Sequence, residues 1–277
     1  MTEPMIAHAR VAAPLADVHR ALTDAEAMRA WLAEHAEVSL PDRYEFWGRY
    51  TPEGDAPHQR LRHVDDRSLR FSWLLDGEDT EVEITLEPET PESTVITVSQ
   101  TGWSYELVLT GSIRGVLQTF WALAIANLAD HLDGRELTPK LDFTSSELRA
   151  EVLIDGPRDE VYDAMTDSAK ISQWFGIPIE VEHEVGGTFS MGGQPVAKVI
   201  DLTPTGVSTD WGFGISTWEL ADSGGKTRLT FVQSGFDEDR PPYAAWLGWL
   251  SGIAELRRFV ELDGWQPIWI PDESAVS

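Results

Sequence analysis

Gly224-Gly-Lys-Thr-Arg-Leu-Thr-Phe-Val-Gln-Ser-Gly-Phe236, followed by the run Tyr243 to Leu262, decides the fold. Its first part reads as an alternating strand, Lys226 to Ser234, held between the Gly224-Gly225 turn and Gly235. Pro241-Pro242 then announces a long helix, and Asp263-Gly264 stops it. Trp246, Trp249, Leu250, Ile253, Leu256 and Val260 recur at three- and four-residue steps and share one helical face. Ser251, Glu255, Arg258 and Glu261 fall largely on the other. A strand beside a helix this apolar must share a core with it.

The preceding segment supplies the strand's partner. With Ser223-Gly224 as a two-residue hairpin turn, Asp222 pairs with Gly225 and Glu219 lies opposite Arg228. An opposite-charge pair suits the wet face of a half-exposed sheet. Alternation then sends Ser216, Trp218, Leu229, Phe231 and Gln233 to the other face, toward the helix.

The same unit occurs twice. Residues 9–32 align without a gap on residues 152–175, matching Pro14 with Pro157, Val18 with Val161 and Ala21 with Ala164. Thr23-Asp24 matches Thr166-Asp167, and Trp31 matches Trp174. Val95 to Trp103 aligns with Arg228 to Phe236, and Leu132-Asp133-Gly134 with Leu262-Asp263-Gly264. Ile96, Val98 and Gln100 are the corresponding inward positions, so an amide recurs at one inward position of both copies. A buried amide needs partners, which makes Gln100 and Gln233 polar anchors or rim glutamines bonded to a neighbouring strand or loop.

Each copy runs strand, two short helices, about six strands and a long closing helix. Strands grouped between helices predict an α+β fold with an antiparallel sheet. Residues 1–134 make the divergent copy, 135–147 a connector, 148–270 the better-preserved copy, and 271–277 an acidic tail. The first closing helix, residues 113–132, is apolar nearly all round, with only Gln118 and Thr119 polar between Gly115 and Ala126. It is too short an apolar run to span a membrane, so it is expected to pack on its own sheet and also on the partner domain or a second subunit, as in a homodimer.

Length and charge narrow the function classes. The 277 residues suffice for two ordinary domains, and 42% hydrophobic with 25% charged content is that of a globular protein. A formal charge of −26, from 47 acidic and 21 basic residues, repels nucleic acid and anionic lipid. The absence of cysteine removes disulfides and thiolate chemistry, and an N-terminus without an apolar run predicts a cytoplasmic chain. The seven histidines show no close metal-ligand spacing; His183 lies in Glu180-Val-Glu-His-Glu184, an alternation that places its glutamates on one strand face. Gly225-Lys226-Thr227 lacks the upstream glycine of a phosphate loop, and Gly214-Ile-Ser-Thr-Trp218 misses a nucleophile elbow. Neither a metal nor a cofactor is expected, and no catalytic constellation stands out.

The order of elements resembles the helix-grip fold of the START-like (SRPBCC) superfamily. The second copy is similar to the heat-shock-protein ATPase activator homologues, through Gln173-Trp-Phe175, Glu182-His-Glu-Val-Gly-Gly-Thr188 and Ser216-Thr-Trp-Glu-Leu220. Gly224 to Phe236 and Ala245-Trp-Leu-Gly-Trp249 carry the likeness most specifically. The first copy matches weakly, and Glu182-His183-Glu184 stands where that branch commonly has basic residues. The resemblance implies two tandem helix-grip domains, each a curved antiparallel sheet around a long C-terminal helix, with an apolar cavity between sheet and helix. Trp174, Phe189, Trp211, Trp218, Phe231, Gln233, Trp246, Trp249 and Ile253 are the residues expected to line it. The aromatic ones among them either line a cavity or fill a core. Three functions follow as expectations: binding of a small apolar or aromatic ligand without catalysis, a polyketide aromatase/cyclase-like reaction, or a protein-interaction role on a heat-shock ATPase. For a reaction, only Gln233, Gln100, Tyr243, Glu182 and His183 offer inward polar groups.

Overall fold

The computed structural model describes residues 3–270, so the expected acidic tail at 271–277 lies outside the described residues. The fold is α+β and divides into two compact units. The first holds the chain up to Thr144 together with Pro242–Ser251 and the described residues from Ile268; the second holds Ser145–Pro241 and Gly252–Pro267.

The first unit opens with β1 (Met5–Val11), α1 (Leu15–Thr23) and α2 (Ala25–Trp31). The strands β2 (His35–Ser39), β3 (Arg43–Trp47), β4 (Gln59–Val64), β5 (Ser68–Leu75), β6 (Glu78–Thr90) and β7 (Ser93–Gln100) follow. A short helix α3 (Tyr105–Thr110) and a 3-10 turn lead into α4 (Leu117–Leu132). The second unit repeats the order: β8 (Leu148–Ile154), α5 (Arg158–Thr166), α6 (Ser168–Phe175), β9 (Ile179–Val181), β10 (Thr188–Met191), β11 (Gln194–Thr203), β12 (Gly206–Asp210), β13 (Ile215–Ser223) and β14 (Lys226–Ser234). The closing helix α7 (Tyr243–Glu261) and a short β15 (Trp269–Ile270) complete the described residues. The sheets run β15-β1-β7-β6-β5-β4 and β8-β14-β13-β12-β11-β10-β9, antiparallel throughout, while β2 and β3 form a separate hairpin.

The residues shared by the two copies do the same local work in each. Asp24 caps α2 by accepting from the Ala27 amide at 2.8 Å, and Asp167 caps α6 by accepting from Lys170 at 2.9 Å. The Trp31 indole N–H donates to the Ala21 carbonyl at 2.9 Å, and that of Trp174 donates to Ala164 at 2.8 Å, locking the second helix of each pair onto the first. Pro14 and Pro157 sit one position before the first helical residue, with extended backbone. The tandem repeat is thus a repeat of caps and staples as well as of sequence.

The hairpin turn lies one residue later than the charge pairing suggested. Gly224 and Gly225 form the loop at φ of +63° and +89°, with Ser223 opposite Lys226. A type I′ turn needs positive φ at both central positions, which two glycines supply and Ser223 resists. Glu219 therefore faces Thr230, Arg228 faces Ala221, and the Arg228 guanidinium pairs instead with Glu151 of β8 at 3.3 Å. Gly225→Ala is expected to destabilise the chain by about 1–2 kcal/mol, because the left-handed backbone alone is at issue. No neighbouring atom lies within 4 Å of the added methyl, so denaturant midpoints of the variant and wild type read the backbone cost directly.

The connector is tied to the first unit. The Asn127 amide donates to the Thr138 carbonyl at 3.0 Å and accepts from its N–H at 2.9 Å. Lys140 Nζ donates to the carbonyls of Arg29 (3.1 Å) and Ala30 (2.7 Å) at the end of α2, and lies 4.9 Å from the Tyr50 ring centre. Burial pushes the Lys140 ammonium down to about 8, against the pull of Glu34. A lowered folded-state value means the unfolded chain holds this proton more tightly, so stability rises as pH climbs from about 8 toward the free-lysine value. The wild type is therefore expected to gain on Lys140→Met across that window, as urea unfolding at several pH values would show; a gap independent of pH would contradict the assignment.

The closing helices depart from a simple two-faced pattern. In α4, Asn127 and Asp130 are fully buried along with Leu117, Trp121, Ile125 and Leu128. In α7, Glu255 is 2% exposed and Arg258 7%, so the face expected to meet water does not. Within the second unit, Glu255 accepts from the Trp265 indole at 3.2 Å, and the Glu261 carboxylate accepts from the Asp155 amide at 2.8 Å. Loop contacts absorb the Glu255 and Glu261 carboxylates.

Candidate ligand-binding site

Three adjacent strands build the candidate site in the second unit. The Gly224-Gly225 turn sets the β13/β14 register, which places Ser216 opposite Gln233 and Trp218 opposite Phe231. On the far side of β14, Leu148 lies opposite Gln233 and Ala150 opposite Phe231. All of these side chains are buried, as alternation required. The Trp218 and Phe231 rings stand 4.3 Å apart at 41°, making an aromatic wall next to the Ser216–Gln233 pair. Ser216 Oγ accepts from the Trp211 indole N–H at 2.8 Å, and the Trp211 ring meets Phe189 edge-to-face at 5.3 Å.

Gln233 is the polar exception on this face. It is 3% exposed, and neither Nε2 nor Oε1 has a hydrogen-bond partner in the protein. Its counterpart Gln100 has a partner at each polar atom: Nε2 donates to Thr80 Oγ1 at 3.0 Å, and Oε1 accepts from Trp121 Nε1 at 2.6 Å. Phe120 and Trp121 of α4 also stack edge-to-face with Trp73, filling the first unit's interior with rings. Aligning the copies shows why the second amide differs. Thr80 stands two residues before Val82, which faces Gln100; two residues before Ser216 is Gly214. Counting back equally from Leu132 and Leu262 sets Trp121 against Ser251. The amide recurs, and neither partner does.

The nine residues expected to line a cavity fall into several places. Trp218, Phe231 and Gln233 come together as a patch, and Phe189 of the same sheet pairs with Trp211 in the loop between β12 and β13. Trp174 holds the α5–α6 corner, as Trp31 does in the first unit. Ile253 is buried in the second unit, while Trp246 and Trp249, also buried, lie in the stretch that groups with the first. The sequence alone overlooked Gly214 and Ser251, although the alignment of the two copies contained the signal.

The acid–base candidates are placed elsewhere. The Tyr243 hydroxyl donates to the Phe143 carbonyl at 3.3 Å, and burial together with Asp142 holds its phenol above the ordinary range. The strand expected through Glu184 stops at Val181, so the three glutamates share no strand face. Glu182 accepts from the Thr188 amide at 2.7 Å and closes a turn. Among the described residues, no group of three or more His, Asp or Glu is placed to hold a metal ion, and no helix is long and apolar enough to cross a membrane. A cavity in the first unit, between Trp31, Phe120, Asn127, Lys140 and Leu247, encloses about 10 Å³, room for about one water.

The model of the family described as "Activator of Hsp90 ATPase homolog 1-like protein" matches residues 12–133 and again 155–261. Among curated proteins, none matches the chain. Among solved structures, the di-domain ARO/CYC BexL from the BE-7585A biosynthetic pathway is 13% identical, with a TM-score of 0.38 over 95% of this chain and 100% of its own. DynU16, a protein in the dynemicin biosynthetic locus, is 16% identical with a TM-score of 0.39 over 94% and 98%. CalU16 from Micromonospora echinospora is 23% identical with a TM-score of 0.36 over 41% and 74%. At these values the likenesses carry no argument about what this chain binds.

Proposed function

The chain belongs to the Activator of Hsp90 ATPase homolog 1-like family in both of its halves, and from that premise we propose that its second unit binds a small apolar or aromatic molecule against the inner face of β13 and β14. The observation that carries this is the Gln233 amide, buried and without a partner in the protein, beside the Trp218–Phe231 wall. A buried amide left unmet costs about 1–3 kcal/mol. Such a group calls for a partner from outside the fold, a ligand or a water. The aromatic pair offers that molecule apolar area, and the amide orients it. The inward positions of β8, β13 and β14 carry no ionisable side chain to move a proton, which favours binding over catalysis at this face.

Native mass spectrometry of the purified full chain tests the proposal. The expected spectrum contains a small-molecule adduct that is lost when the chain is unfolded, or one that forms on adding naphthalene. A chain that carries no adduct and takes up no aromatic probe would contradict it.

A further inference from the structure

The amide that anchors the site also restricts what can occupy it. A glutamine side chain offers an acceptor and a donor on neighbouring atoms in one plane. Here both are open: Oε1 accepts from no protein group and Nε2 donates to none. A ligand that supplied only an acceptor would leave Oε1 buried and unmet, and one that supplied only a donor would strand Nε2, each at a cost of about 1–3 kcal/mol. A carboxylate fails twice. It accepts only, so its charge would face the Oε1 lone pairs, and the inward strand positions around it (Leu148, Ala150, Ser216, Trp218, Leu229 and Phe231) offer no cation to offset its lost hydration. A cation meets the mirror-image difficulty. Of the buried charges of α7, Glu255 accepts from the Trp265 indole and Arg257 lies 4.0 Å from Glu261.

We propose that the ligand is a neutral molecule presenting a hydrogen-bond donor and an acceptor on the two heteroatoms of one amide or carboxyl group, within or attached to an apolar ring system, as a lactam, a primary aryl amide or an undissociated aryl acid does, and that Gln233 reads that edge in a paired, cyclic hydrogen bond. The inference rests on the reading that this face binds an apolar ligand, and adds the ligand's polar edge to it. The flanking Trp218 and Phe231 rings, 4.3 Å apart, then receive the ring body.

Four bicyclic probes on the full chain, followed by tryptophan fluorescence, separate the two levels. They are 2-quinolone, which has the lactam edge; N-methyl-2-quinolone, which has lost the donor; naphthalene, which has neither; and 1-naphthoate, which is anionic at neutral pH. The expected order places 2-quinolone at least about tenfold tighter than the N-methyl compound and naphthalene, equivalent to about 1.4 kcal/mol, with 1-naphthoate weakest. In Gln233→Leu, and in Gln233→Met as a second variant of different shape, the preference for 2-quinolone over its N-methyl derivative disappears. If 2-quinolone and its N-methyl derivative bind equally, or if both variants keep the preference, the polar-edge assignment is overturned while the binding site stands. If none of the four binds, the binding site is overturned and the polar edge with it.

Discussion

Gln100→Leu is expected to lower the stability of the chain by about 1–3 kcal/mol, the cost of one buried donor left unmet. The Trp121 indole N–H now reaches Gln100 Oε1 at 2.6 Å, and Trp121 is 1% exposed, so water cannot replace the lost acceptor. Thr80 suffers less, because its hydroxyl still donates to the Trp73 carbonyl at 2.9 Å. The Trp73, Phe120 and Trp121 rings close around the site and leave little freedom to re-aim the indole. Chemical denaturation of the purified variant measures the loss. A variant as stable as wild type would mean that the network contributes nothing net.

Gln233→Leu, the same substitution at the aligned position, is expected to raise stability by about 1–3 kcal/mol. The amide has no protein partner to lose, and its removal relieves a buried polar group while keeping an apolar side chain of similar length. The stabilised variant should bind aromatic probes without polar discrimination. Opposite signs for one substitution at two repeat-related positions are a demanding outcome, since strand propensity or side-chain hydrophobicity would move both variants alike. A fall in stability for Gln233→Leu would show that the amide is met in the folded chain and serves the core.

Most of the architecture was legible in the residues because it rests on short-range rules. The prolines, the Thr-Asp pairs and the helix-ending tryptophans are caps and staples, and they recur because each copy must start and lock its helices in the same way. The inward face of β14 was also legible even though the turn was misplaced. Moving the turn by one residue shifts the register by two, and side chains alternate with period two, so Leu229, Phe231 and Gln233 stay inward. What failed was the specific pairing of Arg228, which depends on the turn's backbone and on β8, a strand distant in sequence. Helical periodicity misled for Glu255 and Arg258, because it separates two faces but cannot say that both are covered. The candidate site was legible only in part. Gln233 was visible as a repeated amide, but its distinction from Gln100 lies in two missing partners, Gly214 and Ser251, and an absence carries no signal until the copies are compared.

Whether Gln233, and not Gln100, meets a ligand is read by NMR of the side-chain amides in the 15N-labelled full chain during titration with 2-quinolone. The Gln233 NH2 pair is expected to shift downfield in step with binding, while the Gln100 pair, held by Thr80 and Trp121, does not move. Saturable binding with the Gln233 pair unmoved would contradict it.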